Sequence, residues 1–210
     1  MILKRALILA AVVIGVVLWA YLHPIQKPKI PTESRYIKLT KDGSVINVWQ
    51  GPWRCVKDSK TELLWEIKSV NEDIYDEQST FSWFDGLRGV ADRGSCFVGA
   101  QYCDTADIIQ SANAENLCGV SSWRLPTIEE LQSLLKEDAR PGEPLIDTSF
   151  FPYTRRAPYW SNESQKRLFG IYKEEREGAL SISFKDAMVK ALPYNSTCFV
   201  RLVSDAGFEK

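Results

Sequence analysis

A helix stands between two cysteines of this chain and forbids them to pair. Residues 104–117, DTADIIQSANAENL, read as helical, with Asp104 or Thr105 placed to cap the start and Gly119 to stop the end. A helix rises 1.5 Å per residue, so Cys103 and Cys118 would lie roughly 22 Å apart. A disulfide needs Cα atoms within about 7 Å. Cys96 and Cys103 flank the short Gly99-containing stretch FVGAQY and are natural partners. That leaves Cys55, Cys118 and Cys198, and the expected second bridge is Cys55–Cys118, with Cys198 free or an alternative partner. Zinc is the competing use of cysteine, but there is no C-x-x-C pair and His23 is the single histidine. No metal and no cofactor is expected.

Paired cysteines belong outside the cytosol, and the N-terminus points the same way. Lys4 and Arg5 precede ALILAAVVIGVVLWAYL, residues 6–22, a run without a charge. A membrane-spanning helix needs about 20 apolar residues, within a range of about 17–25. A cleaved signal peptide has a shorter apolar core and ends in small residues. Here the run ends in Trp19-Ala20-Tyr21-Leu22, residues suited to a membrane interface. We therefore expect a signal anchor over residues 1–23, embedded through residues 6–22 in a bacterial inner membrane. Its N-terminus would be cytoplasmic and the rest of the chain periplasmic or extracellular. Residues 24–50 read as a stiff proline-containing spacer, HPIQKPKIP, and a polar lead-in with a short strand near 44–49. A folded domain is expected over residues 51–205.

The 26 Lys and Arg against 27 Asp and Glu give no basic excess, which argues against nucleic acid as a partner. The single histidine, beside the apolar run, removes Ser-His and Cys-His hydrolases. Glu129 and Glu130 open a helix on different sides, Glu143 and Asp147 sit in a loop, and Glu174, Glu175 and Glu177 form a charged tip. None makes the acid pair that glycoside hydrolysis requires, so no catalysis is expected.

Runs at 53–56 and 63–67 flank a polar turn and predict a hairpin. A second helix starts inside WRLPTIEELQSLL: Thr127 and Glu130 form a capping box, and Ile128, Leu131, Leu134 and Leu135 share one face. A long proline-rich loop follows, then strands over 168–173, 180–184, 187–192 and 198–203. Strands at both ends with two helices between them make an α+β fold.

These marks, in this order, resemble a bacterial family typified by the C-terminal domain of the Legionella collagen-like adhesin. They are Trp53-x-Cys55-Val56-x-Asp58, Leu64-Trp65-Glu66, Cys103-Asp104-Thr105, Leu117-Cys118-Gly119 and Trp123-Arg124-Leu125-Pro126-Thr127. They continue through Phe151-Pro152 and Tyr159-Trp160-Ser161 to Val200-Arg201-Leu202-Val203, so the resemblance covers roughly residues 53–203. It implies a C-type-lectin-like fold: first and last strands paired, two helices flanking a small, mostly antiparallel sheet, and a long loop region carrying any ligand. The Arg-Leu-Pro-Thr helix start is also similar to that of the formylglycine-generating enzyme, but the late cysteine pair that activity needs is missing. In both families this stretch is scaffold, which implies structural roles for Trp123, Arg124, Thr127 and Glu130.

The expected ligand surface is Arg155, Arg156, Tyr159, Trp160 and Asn162, where arginines and aromatics fall together in the long loop. The function expected is membrane-anchored recognition or adhesion toward a glycan, peptide or envelope protein. The alternative is a structural or assembly subunit of an envelope machine such as a pilus or secretion system.

Overall fold

The hairpin at the centre of the domain joins β3 (Cys55–Asp58) to β4 (Leu64–Glu66). Its antiparallel register sets Cys55 against Glu66, Val56 against Trp65 and Lys57 against Leu64. This is a computed structural model, and it describes residues 34–97 and 103–206. The apolar run 6–22, most of the spacer and most of the FVGAQY stretch lie outside the described residues. Among the described residues no helix is long and apolar enough to cross a membrane.

Side chains alternate across a strand, and here both faces are covered. Cys55 and Leu64 enter one apolar cluster with Trp83, Ile108, Trp123 and Leu202. Val56 and Trp65 enter a second with Leu131, Phe151, Phe184 and Val203. The sheet is completed by β1 (Tyr36–Leu39), β2 (Val45–Ile46) and β9 (Val203–Ser204), in the antiparallel order β2-β1-β3-β4-β9. The closing strand therefore pairs with β4 and not with the first strand, unlike the pairing the resemblance implied. Strand β1 falls in the expected lead-in, and the compact unit begins at Arg35. Its polar look comes from Lys38, which is buried beneath its own contacts. Lys38 Nζ donates to the Val48 carbonyl at 2.7 Å and lies 3.4 Å from the centre of the Trp53 ring.

The second sheet is built on β7 (Glu177–Ser183), which pairs antiparallel with β5 (Pro158–Trp160), β6 (Lys166–Arg167) and β8 (Val189–Pro193). Gly178 allows the closest approach, since a Cβ there would sit 1.9 Å from the Leu192 carbonyl oxygen. The strand expected over 168–173 is instead a 3-10 segment, Gly170–Glu175, with no buried residue. Its alternating apolar residues have no core to face, because Phe169 and Ile171 both point into solvent.

Helix α1 (Thr105–Ala114) starts at Asp104, whose carboxylate accepts from the Ala106 and Asp107 amides while Asp107 reaches back to the Asp104 amide. It ends earlier than expected, because Asn116, Cys118 and Gly119 all take left-handed conformations and wind a short 3-10 turn over Leu117–Gly119. Helix α2 (Ile128–Ser133) starts with the reciprocal Thr127–Glu130 capping box and packs against β7.

One segment, 198–204, touches both sheets. Cys198 bridges to Phe81, Phe199 to Tyr159 of β5, and Val203 to Arg124, while β9 itself ladders onto β4. Arg201 lies within it at 0% exposure. Its guanidinium donates to the Glu66 carbonyl at 2.7 Å and to the Thr154 hydroxyl at 2.8 Å, and stands 5.1 Å from the centre of the Phe151 ring. The Glu66 carboxylate is also fully buried and takes Lys68 Nζ at 3.1 Å. Burial holds the Lys68 ammonium below its ordinary range against the pull of Glu66. An Arg201→Ala substitution removes the donor to the buried Glu66 carbonyl and one of the two bonds of the Thr154 hydroxyl, which keeps its bond to the Phe151 carbonyl. At roughly 1–3 kcal/mol per buried group left unpaired, with the lost packing on Phe151 added, we expect a loss of about 2 kcal/mol or more. Urea unfolding measures it, and a loss under about 1 kcal/mol would show that the domain does not lean on this guanidinium.

Candidate functional site

The residues expected to form the ligand surface do not come together. Tyr159 and Trp160 are both 0% exposed and belong to the core. The Trp160 indole donates to the Phe81 carbonyl at 2.8 Å, and the Tyr159 hydroxyl accepts from the Arg155 amide at 2.9 Å. Burial pushes the Tyr159 phenol up to about 12. Arg155 is tied down, with its guanidinium donating to both the backbone carbonyl and the carboxylate of Glu77 at 3.2 Å. Only Arg156 and Asn162 are well exposed. Asn162 opens onto a separate shallow groove of about 400 Å³ beside Phe84, Gln110 and Arg124. An aromatic pair in a strand signals core more strongly than surface, and β5 lies between two covered faces.

The Trp123–Thr127 stretch is held throughout by hydrogen bonds. The buried Trp123 indole donates to the Leu117 carbonyl at 3.0 Å. Arg124 grips Glu130 through two bonds of 2.7 and 2.8 Å and Asp205 through two more of the same lengths. Those carboxylates raise the Arg124 pKa, and Arg124 in turn holds Glu130 low despite its partial burial. The capping box therefore shares its glutamate with an arginine that ties α2 to the chain end.

A cleft of about 1100 Å³ lies elsewhere. One wall is the β1–β2 turn with Thr40, Lys41 and Asp42, and the opposite wall is the end of α1 with Glu115, Asn116 and Gly119. Ile46, the stretch Trp49 to Pro52 and Arg54 line it, together with Asn71. Trp49 is 58% exposed. The two walls are joined twice: the Cys118 amide donates to the Lys41 carbonyl at 2.8 Å, and Cys55 of β3 is bridged to Cys118 with Cα atoms 6.3 Å apart. The second disulfide, Cys96–Cys103, also forms, with Cα atoms 6.1 Å apart. Cys198 is left free and buried, and burial pushes its thiol up to about 12.

Charges in the cleft are balanced locally. Lys41 Nζ pairs with Glu115 at 2.8 Å, and the buried Tyr75 hydroxyl donates to the other Glu115 oxygen at 2.5 Å. Partial burial would raise the Glu115 pKa, but Lys41 and Tyr75 outweigh it and hold the carboxyl below its usual range. Arg54 lies 3.7 Å from Asp73 and 4.9 Å from the centre of the Tyr75 ring. Asp42 accepts from the Thr40 and Ser44 hydroxyls, which hold it low. One sequence signal points to this cleft, the Trp49-Gln50-Gly51-Pro52 turn, whose exposed aromatic stands in the stretch expected as lead-in. A further acidic cluster, Asp92, Asp104 and Asp107, brings its carboxylate oxygens within 4.8 Å of one another. Asp104 is committed there to the Ala106, Asp107 and Asp92 amides and so reads as the cap of α1.

The chain belongs to the Lcl C-terminal domain family, whose profile matches residues 54–204. This is the family that the Trp-Arg-Leu-Pro-Thr stretch and its companion motifs resemble. No curated protein and no solved structure gives a significant match.

The Glu115 contacts make a pH prediction. A carboxyl whose pKa is depressed by folding adds stability above its unfolded value and loses it as pH falls through the folded one. Wild type should therefore exceed Glu115→Gln in urea stability at neutral pH. The gap should close as pH drops below the ordinary glutamate value of 4.5. A gap that stays constant from pH 7 to about pH 3 would contradict the assignment.

Proposed function

We propose that this protein is an adhesin-like recognition module that binds without catalysis. It would be tethered by residues 6–22 with its domain on the outer side of a bacterial inner membrane. The observation that carries this reading is the cleft at the end of α1. It encloses about 1100 Å³, its walls are joined by a disulfide and a backbone hydrogen bond, and an aromatic ring is left open in it. Preformed concave sites with an aromatic face and a few polar groups are where small ligands bind. Both cleft carboxyls, Asp42 and Glu115, are held low by their neighbours. A general acid needs the opposite shift, which favours binding over hydrolysis. We also assign a C-type-lectin-like arrangement, on the strength of the two helices, the long loop before β5 and the late segment that closes the fold.

The full-length chain, immobilised in detergent, tests this against a glycan array and a bacterial envelope extract. Saturable capture of a glycan or of one envelope protein is expected, with no turnover of the captured ligand. A stable multi-protein assembly that forms with the cleft residues substituted would favour the assembly-subunit alternative and overturn the reading.

A further inference from the structure

We propose that the cleft takes a neutral saccharide, with a pyranose ring stacked on Trp49; this rests on the recognition reading above and names its ligand class. Three observations converge. First, Trp49 is the exposed aromatic of the cleft, at 58%, and its indole makes no hydrogen bond among the described residues. An indole face left open in a concave site suits the flat C–H face of a sugar ring, which is apolar on one side and hydroxylated at its rim.

Second, the polar groups around that ring are amides with unused capacity. The side chains of Asn71 and Asn116 line the cleft and make no hydrogen bond among the described residues. The Gln50 amide uses only its oxygen, which accepts from the Asn47 backbone at 2.9 Å. A side-chain amide offers donors and an acceptor together, which matches hydroxyls better than it matches an anion. Asn116 is also held in a left-handed conformation, φ 48°, at the end of α1. Strained backbone of this kind collects at binding sites.

Third, no cation is spare. The cleft lining contains two cations, Lys41 and Arg54, and two carboxylates, Asp42 and Glu115. Lys41 is taken by Glu115, and Arg54 by Asp73 and the Tyr75 ring. Sulfated or uronic polymers need unpaired arginine or lysine, and reaching one here would mean breaking an ion pair.

The test uses the full-length chain in a detergent without a sugar headgroup. The probes are neutral hexasaccharides of glucose, mannose, galactose, xylose and N-acetylglucosamine, with heparin as the charged comparison. Saturable binding of at least one neutral hexasaccharide is expected, little changed between about 0.1 and 1 M salt. Trp49→Ala should weaken it at least about tenfold, and Trp49→Phe should restore part of the loss. The exposure of Trp49 makes it dispensable for folding, which circular dichroism checks on each variant. Binding that survives Trp49→Ala, or failure of every neutral probe, overturns the proposal. Salt-sensitive heparin binding that Trp49→Ala leaves intact, with no neutral probe bound, would overturn the neutral-saccharide proposal while the recognition reading stands.

Discussion

The buried guanidinium of Arg201 is the interaction on which the rest of the domain leans. It sits in the segment that leaves one sheet and closes the other, and it reaches β4 through the Glu66 carbonyl and the long loop through Thr154. A charge this deep is costly to move away from the partners it has. The guanidinium also stacks on the Phe151 ring, while the Glu66 carboxylate pairs with Lys68 at 3.1 Å and accepts from the Leu202 amide at 3.4 Å. The closing segment therefore has one docked position. Docked there, it pairs Phe199 with β5 and Val203 with β4, so two sheets that share no strand are fastened by a few residues near the chain end.

The cleft depends on that frame at one remove. Strand β3 contributes Val56 to the core behind Arg201 and Cys55 to the bridge with Cys118. The bridge and the Lys41 carbonyl hold a turn whose residues take left-handed conformations, at φ 48° for Asn116 and 54° for Cys118. Held in that shape, the end of α1 stands across from the β1–β2 turn. Glu115 then faces Lys41 and Tyr75, and Trp49 is left as the open aromatic between the walls. On the proposed recognition reading, a ligand would meet the part of the domain that the sheets hold still.

Local chemistry was the legible part of the sequence. The two caps, the β3–β4 hairpin and the Cys96–Cys103 bridge follow from short-range rules: Asp104 and Thr127 accept from the amides they precede, and a helix keeps Cys103 from Cys118, while the choice of Cys55 over Cys198 for Cys118 is made by the tertiary fold. Tertiary context decided the rest. Strand β1 was hidden because its Lys38 is buried by a carbonyl and a tryptophan ring, partners distant enough that no window of sequence shows them. Tyr159 and Trp160 were read as surface for the converse reason, since arginines beside aromatics suggest a binding patch until Glu77 claims one arginine and the core claims both rings. The segment 168–173 has strand-like residues and no neighbour to bury them, so it coils. The cleft is assembled from residues between 40 and 119, and no spacing in the sequence announces that they converge.

Native-state hydrogen exchange tests whether the segment around Arg201 makes the two sheets one cooperative unit. The amides to follow are Glu66 and Val203 for the first sheet and Trp160 for the second, bonded to Leu202, Arg124 and Phe199 at 2.9–3.0 Å. The account predicts that all three exchange only through global unfolding, with one free energy and one dependence on urea. If Trp160 opens more than about 2 kcal/mol below Glu66 and Val203, the sheets are separate units and Arg201 does not join them.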